Sequence, residues 1–419
     1  MQGATRTIIH ADLNSFFAMA EQQTNPRLRG KPIGIIKAKG RACIIAASVE
    51  AKKQGVVTGT NVFEAKKLCP QIILIPANFS KYEDFSLQFI NICKRYSYLC
   101  EVFSLDECFI DVTETEKFFG GVLTLAYDIK KRLSAVGDYM TCSVGISHNR
   151  LLAKLASEQI KPDGLFLITE ANVFSVLDKS QLTDVCGLGW ALEKRLLALG
   201  IDSFPKLRGK SMEFLHAHFG PVWSVHLYNL CRGIDLTPVC DVSSLADAKS
   251  VGRTYTTHRN LYKLDEVFQL VRNLCEETAA KARQMHLSGR YVGFVLRGQD
   301  MFYGHRTLKN YINDGKKLFD ICVAISKNWN FCNTKDSYVR FCGITLGMLA
   351  PVKYNPTPLF PWDIKRNNLV SSLDRINGKY GDYTVFPAQL LGMQIIRPEV
   401  NGYFGDKVYR LKKLQNTNI

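Results

Sequence analysis

The sequence reads as a multidomain α+β protein, and three observations predict it. The chain has 419 residues, more than the roughly 100–200 of a single domain. Up to about residue 167, strand-like apolar runs and helical stretches mix without strict β-α-β order. From 168 to 236 the pattern is almost purely helical, and after a Ser- and Asp-rich linker at 237–248 strands and helices mix again.

TRTIIHADLNSFFAMAEQ starts as a strand, Thr7 to Ala11, and turns helical from about Ser15. Asp12 stands at the strand's end, where α/β architectures often place chemistry. KPIGIIKAKGRACIIAAS reads as two short strands around a basic turn with Lys37, Lys39 and Arg41. VEAKKQGV and NVFEAKKLCP read as short helices, the second ended by Pro70. With the helix after Asp12 they form a small inserted helical module near 15–78. YEDFSLQFINICKRYSYL has apolar residues at helical spacing, and VFSLDECFID follows as a hairpin. TLAYDIKKRLSAVG is a helix, YMTCSVGIS a strand, and NRLLAKLASEQI a helix closed by the turn KPDG.

Within the helical region, Gly187 and Gly189 of DVCGLGWALEKRLLALGI open a helix that Gly200 closes. Such a hairpin turn can bring backbone N–H groups at a helix N-terminus up to a phosphate; the alternative is an ordinary packing turn. Beyond the linker, SVGRTYTTH, RYVGFVLRG and SYVRFCGITLGML are strand-like and alternate with two amphipathic helices. Arg253, Arg297, Arg306 and Arg340 lie on or beside these strands and are candidate DNA contacts. The tail after Pro351 holds one more helix, NNLVSSLDRIN.

Lys plus Arg number 54 against 38 Asp plus Glu, a formal charge of +16. That surplus points to a polyanionic partner, or to a basic surface that serves solubility alone. Asp12 interrupts the first apolar stretch, which excludes a secretory signal there, and no apolar run approaches the about 20 residues of a membrane span. The expected partner is therefore nucleic acid and not a membrane. The 13 cysteines contain no C-x-x-C pair. This argues against a zinc site or disulfide framework and for reduced thiols in the cytoplasm.

The adjacent acids Asp106 and Glu107 pose the sharpest question. Neighbours on a regular strand point to opposite faces, so both can serve one site only if the backbone turns between them. With Asp12 they would make a hard oxygen site suited to Mg²⁺, and paired Mg²⁺ ions are a common device for phosphoryl transfer. The competing reading is a solvated hairpin tip and a helix N-cap. Asp111 reads as a structural acceptor and His10 as a hydrogen-bonded core residue, since no second His lies at metal spacing.

HADLNSFFAMAE, KPIGII, VEAKKQGV, SLDECFIDVT, SVGISHNRLLAKLASEQIKPDG and the GLG turn together resemble the Y-family translesion DNA polymerases. The resemblance runs in the same order over roughly residues 7–350 and is nearest to bacterial polymerase IV and the polymerase V catalytic subunit. It implies a right-hand polymerase: palm at 1–14 and 79–167, fingers at 15–78, helical thumb at 168–236, little finger at 249–350 and a C-terminal tail at 351–419. It implies low-fidelity, template-directed synthesis from deoxynucleoside triphosphates on primer-template DNA. Asp12 and Asp106 would bridge two Mg²⁺ ions, Glu107 would bind the catalytic one, and the Leu13 carbonyl would complete the other. Lys52 and Lys161 would hold the triphosphate. Phe16 and Phe17 would lie beside the nucleotide, with Phe17 the exposed ring and steric gate against ribose.

The chain also departs from the family. Lys52 stands where polymerase IV relatives carry arginine, which keeps the charge but loses the bidentate fork. Ala46 and Val49 lack hydroxyls expected against the triphosphate. The nearest clamp-binding peptide, Thr357 to Phe360, would use Leu359 and Phe360 as anchors on a sliding clamp but has no Gln; its alternative is packing on its own domain. From another class, a catalytically inactive DNA-binding accessory subunit is the competing function. A P-loop is excluded, because the GKS at Gly209–Ser211 has Phe204 where the motif needs glycine.

Overall fold

The structure, a computed structural model, describes residues 6–37, 42–240, 248–329, 337–355, 358–393 and 395–396. The chain divides into two compact units, Met1–Leu245 and Ala246–Ile419, a boundary inside the expected linker.

In chain order the first unit contains β1 (Ile8–Leu13), α1 (Phe16–Thr24), β2 (Ile33–Ile36), β3 (Ile44–Ala47), α2 (Val49–Lys52), α3 (Val62–Leu68), β4 (Ile73–Pro76), α4 (Phe79–Cys93), β5 (Cys100–Val102), β6 (Glu107–Asp111), α5 (Val122–Val136), β7 (Cys142–Ser147), α6 (Arg150–Gln159) and β8 (Leu165–Leu167). Helices α7 (Val173–Lys179), α8 (Trp190–Ala198), α9 (Phe204–Arg208) and α10 (Met212–Leu230) complete it. The main sheet has the order β5-β6-β1-β7-β8. β1 runs antiparallel to both its neighbours, and every one of its six residues is buried. The inserted module is not simply helical: its centre is a second sheet, β3-β2-β4, covered by short helices.

Helix α6 lies very close to the main sheet, and Gly145 on β7 permits it. A Cβ there would stand 2.1 Å from the Ala153 carbonyl oxygen and 2.2 Å from the Ser157 nitrogen. The other side of α6 supplies Leu152 and Leu155 to the core of the helical region, beside Leu177, Leu196, Phe204 and Leu215. One helix thus joins the sheet to the helical layer. The expected linker begins too early at 237. Val239 is buried with Ile8, Phe109 and Ala153, Arg6 donates to the Thr237 carbonyl at 3.2 Å, and the Cys240 amide donates to Glu101 at 3.2 Å. Residues 237–240 are therefore part of the sheet's packing, and 241–247 lie outside the described residues.

The second unit contains β9 (Ser250–Leu261), α11 (Leu264–Gln284), β10 (Leu287–Gly298), β11 (Met301–Ile312), α12 (Gly315–Ile325), β12 (Val339–Pro351) and α13 (Pro361–Tyr380). Its sheet has the order β11-β10-β12-β9. Strand β11 was not expected: on this edge strand no residue is fully buried, so its apolar alternation is weak. Val292, Phe294, Leu296, Cys342, Ile344 and Leu346 turn one face toward α11 and α12. The tail helix is longer than expected, starting at Pro361 in its first turn. It is bound to this unit by the pairs Arg366–Asp314, Arg283–Asp374 and Lys317–Asp363. No α13 residue is fully buried.

Gly145→Ala should lift α6 from the sheet. Overpacking typically costs about 1–3 kcal/mol, and this contact is with backbone, which cannot swing aside. Urea unfolding of the variant is expected to show a loss at or above the upper end of that range.

Candidate active site

The acids are brought together by register and one turn. Asp12 on β1 pairs directly with Glu107 on β6, so the two side chains leave the sheet on one face. His10, two residues back, shares that face. Asp106 sits in the hairpin turn and not on the strand, which frees it from alternation. Its carbonyl accepts the Leu13 amide at 2.9 Å, which ties the turn to the end of β1, and its carboxylate accepts from the Ser104 hydroxyl at 2.5 Å. Ligand atoms of His10, Asp12 and Glu107 all lie within 4.8 Å of one another.

Charge balance differs sharply among the three acids. Burial raises Asp12 to about 7; Lys161 opposes this, while Asp106 and Glu107 add to it. Burial also raises Asp106. Burial works in the same direction on Glu107, but the His10 hydrogen bond and the Lys154 ammonium outweigh it and hold that carboxyl down at about 2. Lys154 pairs directly with Glu107. His10 is fully buried and lowered to about 4, chiefly by burial. Its ring nitrogens face Ser157 Oγ at 2.8 Å and Glu107 Oε2 at 3.3 Å. With both nitrogens engaged, His10 acts as Glu107's support, in line with its reading as a hydrogen-bonded core residue.

Lys161 Nζ lies 3.1 Å from Asp12 and 2.6 Å from Glu158. Burial opposes its charge, yet the two carboxylates hold its pKa above the ordinary value. Lys52, at the end of α2, is lowered by burial and then by Lys161, whereas Asp12, Glu158 and Asp106 oppose that shift. Two ammonium groups from separate modules therefore converge on the acids and feel one another. Lys154 and Glu158 were missed in the sequence, although both lie in the LLAKLASEQIKPDG run. The signal was spacing: Lys154, Ser157, Glu158 and Lys161 recur at helical intervals.

The turn from β1 to α1 is tight. Ser15 takes a left-handed φ of 47°. Asn14 is fixed by its side-chain bonds with Thr141 at 3.0 Å and Ser143 at 2.9 Å. The turn places Phe16 and Phe17 directly after the acid. Phe17 is not the exposed ring that was expected: Phe16 and Phe17 are 3% and 4% exposed. Phe17 stacks on Tyr82 with centroids 4.4 Å apart and meets Phe79 edge-on at 5.9 Å.

The candidate DNA contacts separate into two groups. Arg253 is corrected: it shares the helix-facing side of β9 with Val251 and Tyr255 and pairs with buried Glu277 at 2.5 Å. Arg297, Arg306 and Arg340 are exposed. In the helical region Gly187 has φ +99°, and a Cβ there would meet the His226 ring at 2.9 Å. Gly189 N-caps α8, and a Cβ there would meet nothing within 4 Å. Leu359 and Phe360 are exposed, and Phe360 stacks on Trp362 at 4.6 Å; Thr357 lies outside the described residues. No helix among the described residues is long and apolar enough to cross a membrane.

Comparison with known proteins fits this geometry. Residues 11–158 match the impB/mucB/samB family, 248–357 its C-terminal domain, and 183–235 the thumb domain of DNA polymerase-iota. The chain is 34% identical over 387 residues to DNA polymerase IV of Pelotomaculum thermopropionicum, covering 91% of this chain and 94% of that protein. It is 32% identical over 404 residues to DNA polymerase IV of Desulfatibacillum aliphaticivorans, covering 92% and 96%. A solved Y-family DNA polymerase chimera shares the fold with a TM-score of 0.71 at 24% identity, over 82% of this chain and 99% of that one. Similarity over nearly the whole length of these relatives, together with the match across Asp12, Asp106 and Glu107, shows that the chain belongs to the impB/mucB/samB family of Y-family translesion DNA polymerases.

Proposed function

We propose that this polymerase adds deoxynucleotides to a primer 3′ end on a DNA template at Asp12, Asp106 and Glu107, with two Mg²⁺ ions as cofactors. The observation that carries the reading is the register pair Asp12–Glu107 with Asp106 in the adjoining turn. The donor set fits a hard divalent cation: carboxylates crowd together, two of them are raised, and the Leu13 carbonyl follows directly. When bound, the ions would supply charge stabilisation to the transferring phosphoryl group. The relatives compared above are DNA polymerases by name, and none favours the inactive-subunit alternative.

The chain's own groups have separable roles. His10 and Lys154 keep Glu107 ionised and oriented. Lys52 and Lys161 offer two ammonium charges to a triphosphate, whose phosphates would relieve their mutual repulsion. Phe17 forms the wall beneath the sugar, and its burial suits that role, because a wall between packed rings cannot yield to a 2′-OH. The main sheet serves as palm, the inserted module as fingers, the helical region as thumb and the second unit as little finger with its docked tail. Gly187 shapes the α8 turn and Gly189 leaves it open to a DNA phosphate. Arg297, Arg306 and Arg340 would add salt-sensitive backbone contacts. Leu359 and Phe360 are candidate anchors on a sliding clamp. With DNA and nucleotides as its substrates, the enzyme acts in the cytoplasm.

Asp106→Ala should lower insertion by more than about a thousandfold, since metal-borne charge stabilisation supplies several kcal/mol, while duplex binding persists. Primer extension and a binding titration on one preparation check this. Because Asp12 is raised to about 7, it carries a proton below that pH, and a cation must displace it. Mn²⁺ affinity, read by calorimetry, should rise by about tenfold per pH unit below 7 and flatten above it; a flat profile from pH 5.5 to 8 would contradict the site. Phe17→Ala should raise ribonucleotide insertion relative to deoxynucleotide by about five- to 150-fold, the equivalent of about 1–3 kcal/mol of overpacking. Single-nucleotide insertion kinetics with matched pairs measure it.

A further inference from the structure

Glu21 lies one helical turn beyond Phe17 on α1 and is only 6% exposed. Its carboxylate accepts the Tyr82 hydroxyl at 2.8 Å on one oxygen and Lys81 Nζ at 2.7 Å on the other. Lys81 also donates to Thr24 at 3.1 Å, back on α1. Tyr82, on α4, is wholly buried, and its ring lies at 14° to that of Phe17. Phe79 meets both rings edge-on, at 5.9 and 6.0 Å.

A core that needed only volume would use neither an acid nor a hydroxyl here, because burying a carboxylate is costly unless it is bonded. What the polar pair adds is fixation. Stacked rings slide over one another at little cost, whereas a hydroxyl held by a carboxylate fixes the ring in its own plane. None of Glu21's partners belongs to the carboxylate site. We infer that Glu21 is a positioning residue for sugar selection, acting through Tyr82 to fix the ring against which Phe17 rests. The inference rests on the reading of Phe17 as the sugar gate.

The test is the ratio of deoxy- to ribonucleotide insertion efficiency in a double-mutant cycle. Glu21→Leu removes the acceptor, and Tyr82→Phe removes the donor but keeps the stacked ring. Each should lower discrimination by about fivefold, the worth of one such hydrogen bond. Glu21→Gln keeps an oxygen for the Tyr82 hydroxyl and should retain most of the discrimination. In the Phe17→Ala background, Glu21→Leu and Tyr82→Phe should change the ratio no further. Thermal melts establish which variants are folded; if Glu21→Leu does not fold, Tyr82→Phe carries the test. Parental discrimination in a folded Tyr82→Phe protein, or effects that multiply with Phe17→Ala, would overturn the role of Glu21 and leave the gate standing. Unchanged discrimination in Phe17→Ala itself would remove the gate, and the inference with it.

Discussion

Three carboxylates at the end of an apolar sheet repel one another, and much of the first unit exists to hold them there. Burial, with the neighbouring carboxylates adding to it, raises Asp12 and Asp106 above the ordinary carboxylate range, while His10 and Lys154 hold Glu107 far below it. The asymmetry has a structural cause. Glu107 pairs directly with both His10 and Lys154, whereas Asp12 shares Lys161 with Glu158. All of these cations and the imidazole's partner, Ser157, come from α6 or the turn just after it. The site's charge balance therefore depends on how closely that helix approaches the sheet, and a single missing side chain at Gly145 sets the approach.

The two modules around this centre meet it in different ways. The inserted module delivers an ammonium group, Lys52, from a four-residue helix whose start is fixed by the Ser48 side chain. The β1–α1 turn delivers rings, held by packing on α4. Asp12 and the rings of Phe16 and Phe17 thus lie within six residues of one segment, so a shift of β1 would move both together.

Much of this was legible in the sequence. Asp12, Asp106, Glu107, Lys52 and Lys161 converge as the motifs implied, because short apolar strands flanked by turns leave little choice of register. The pair of adjacent acids could be read only halfway: alternation forbids both on one face, and the turn that resolves it depends on where β5 ends. Arg253 could have been placed correctly, since Val251 and Tyr255 mark its side of β9 as the buried one. Gly145 and Glu21 could not. A close helix approach and a buried carboxylate leave no local signature: Gly145 is defined by the backbone of the next helix at Ala153 and Ser157, and Glu21 by Tyr82, 61 residues later. The burial of Phe17 was missed for a related reason, since Tyr82 and Phe79 come from a helix more than sixty residues later.

The tail helix is joined to its unit by three ion pairs, with no residue of its own fully buried, and the segment after it by the Asn273 contacts with Tyr383 and Ile396. Of these pairs, Lys317–Asp363 is the exposed one and open to screening by salt, whereas Arg366–Asp314 and Arg283–Asp374, each with one partner largely buried, are screened much less. The variable that governs a basic protein's grip on a polyanion thus reaches the domain's outermost layer only at its Lys317–Asp363 edge. Salt would loosen the enzyme from its template well before it freed the layer from the domain.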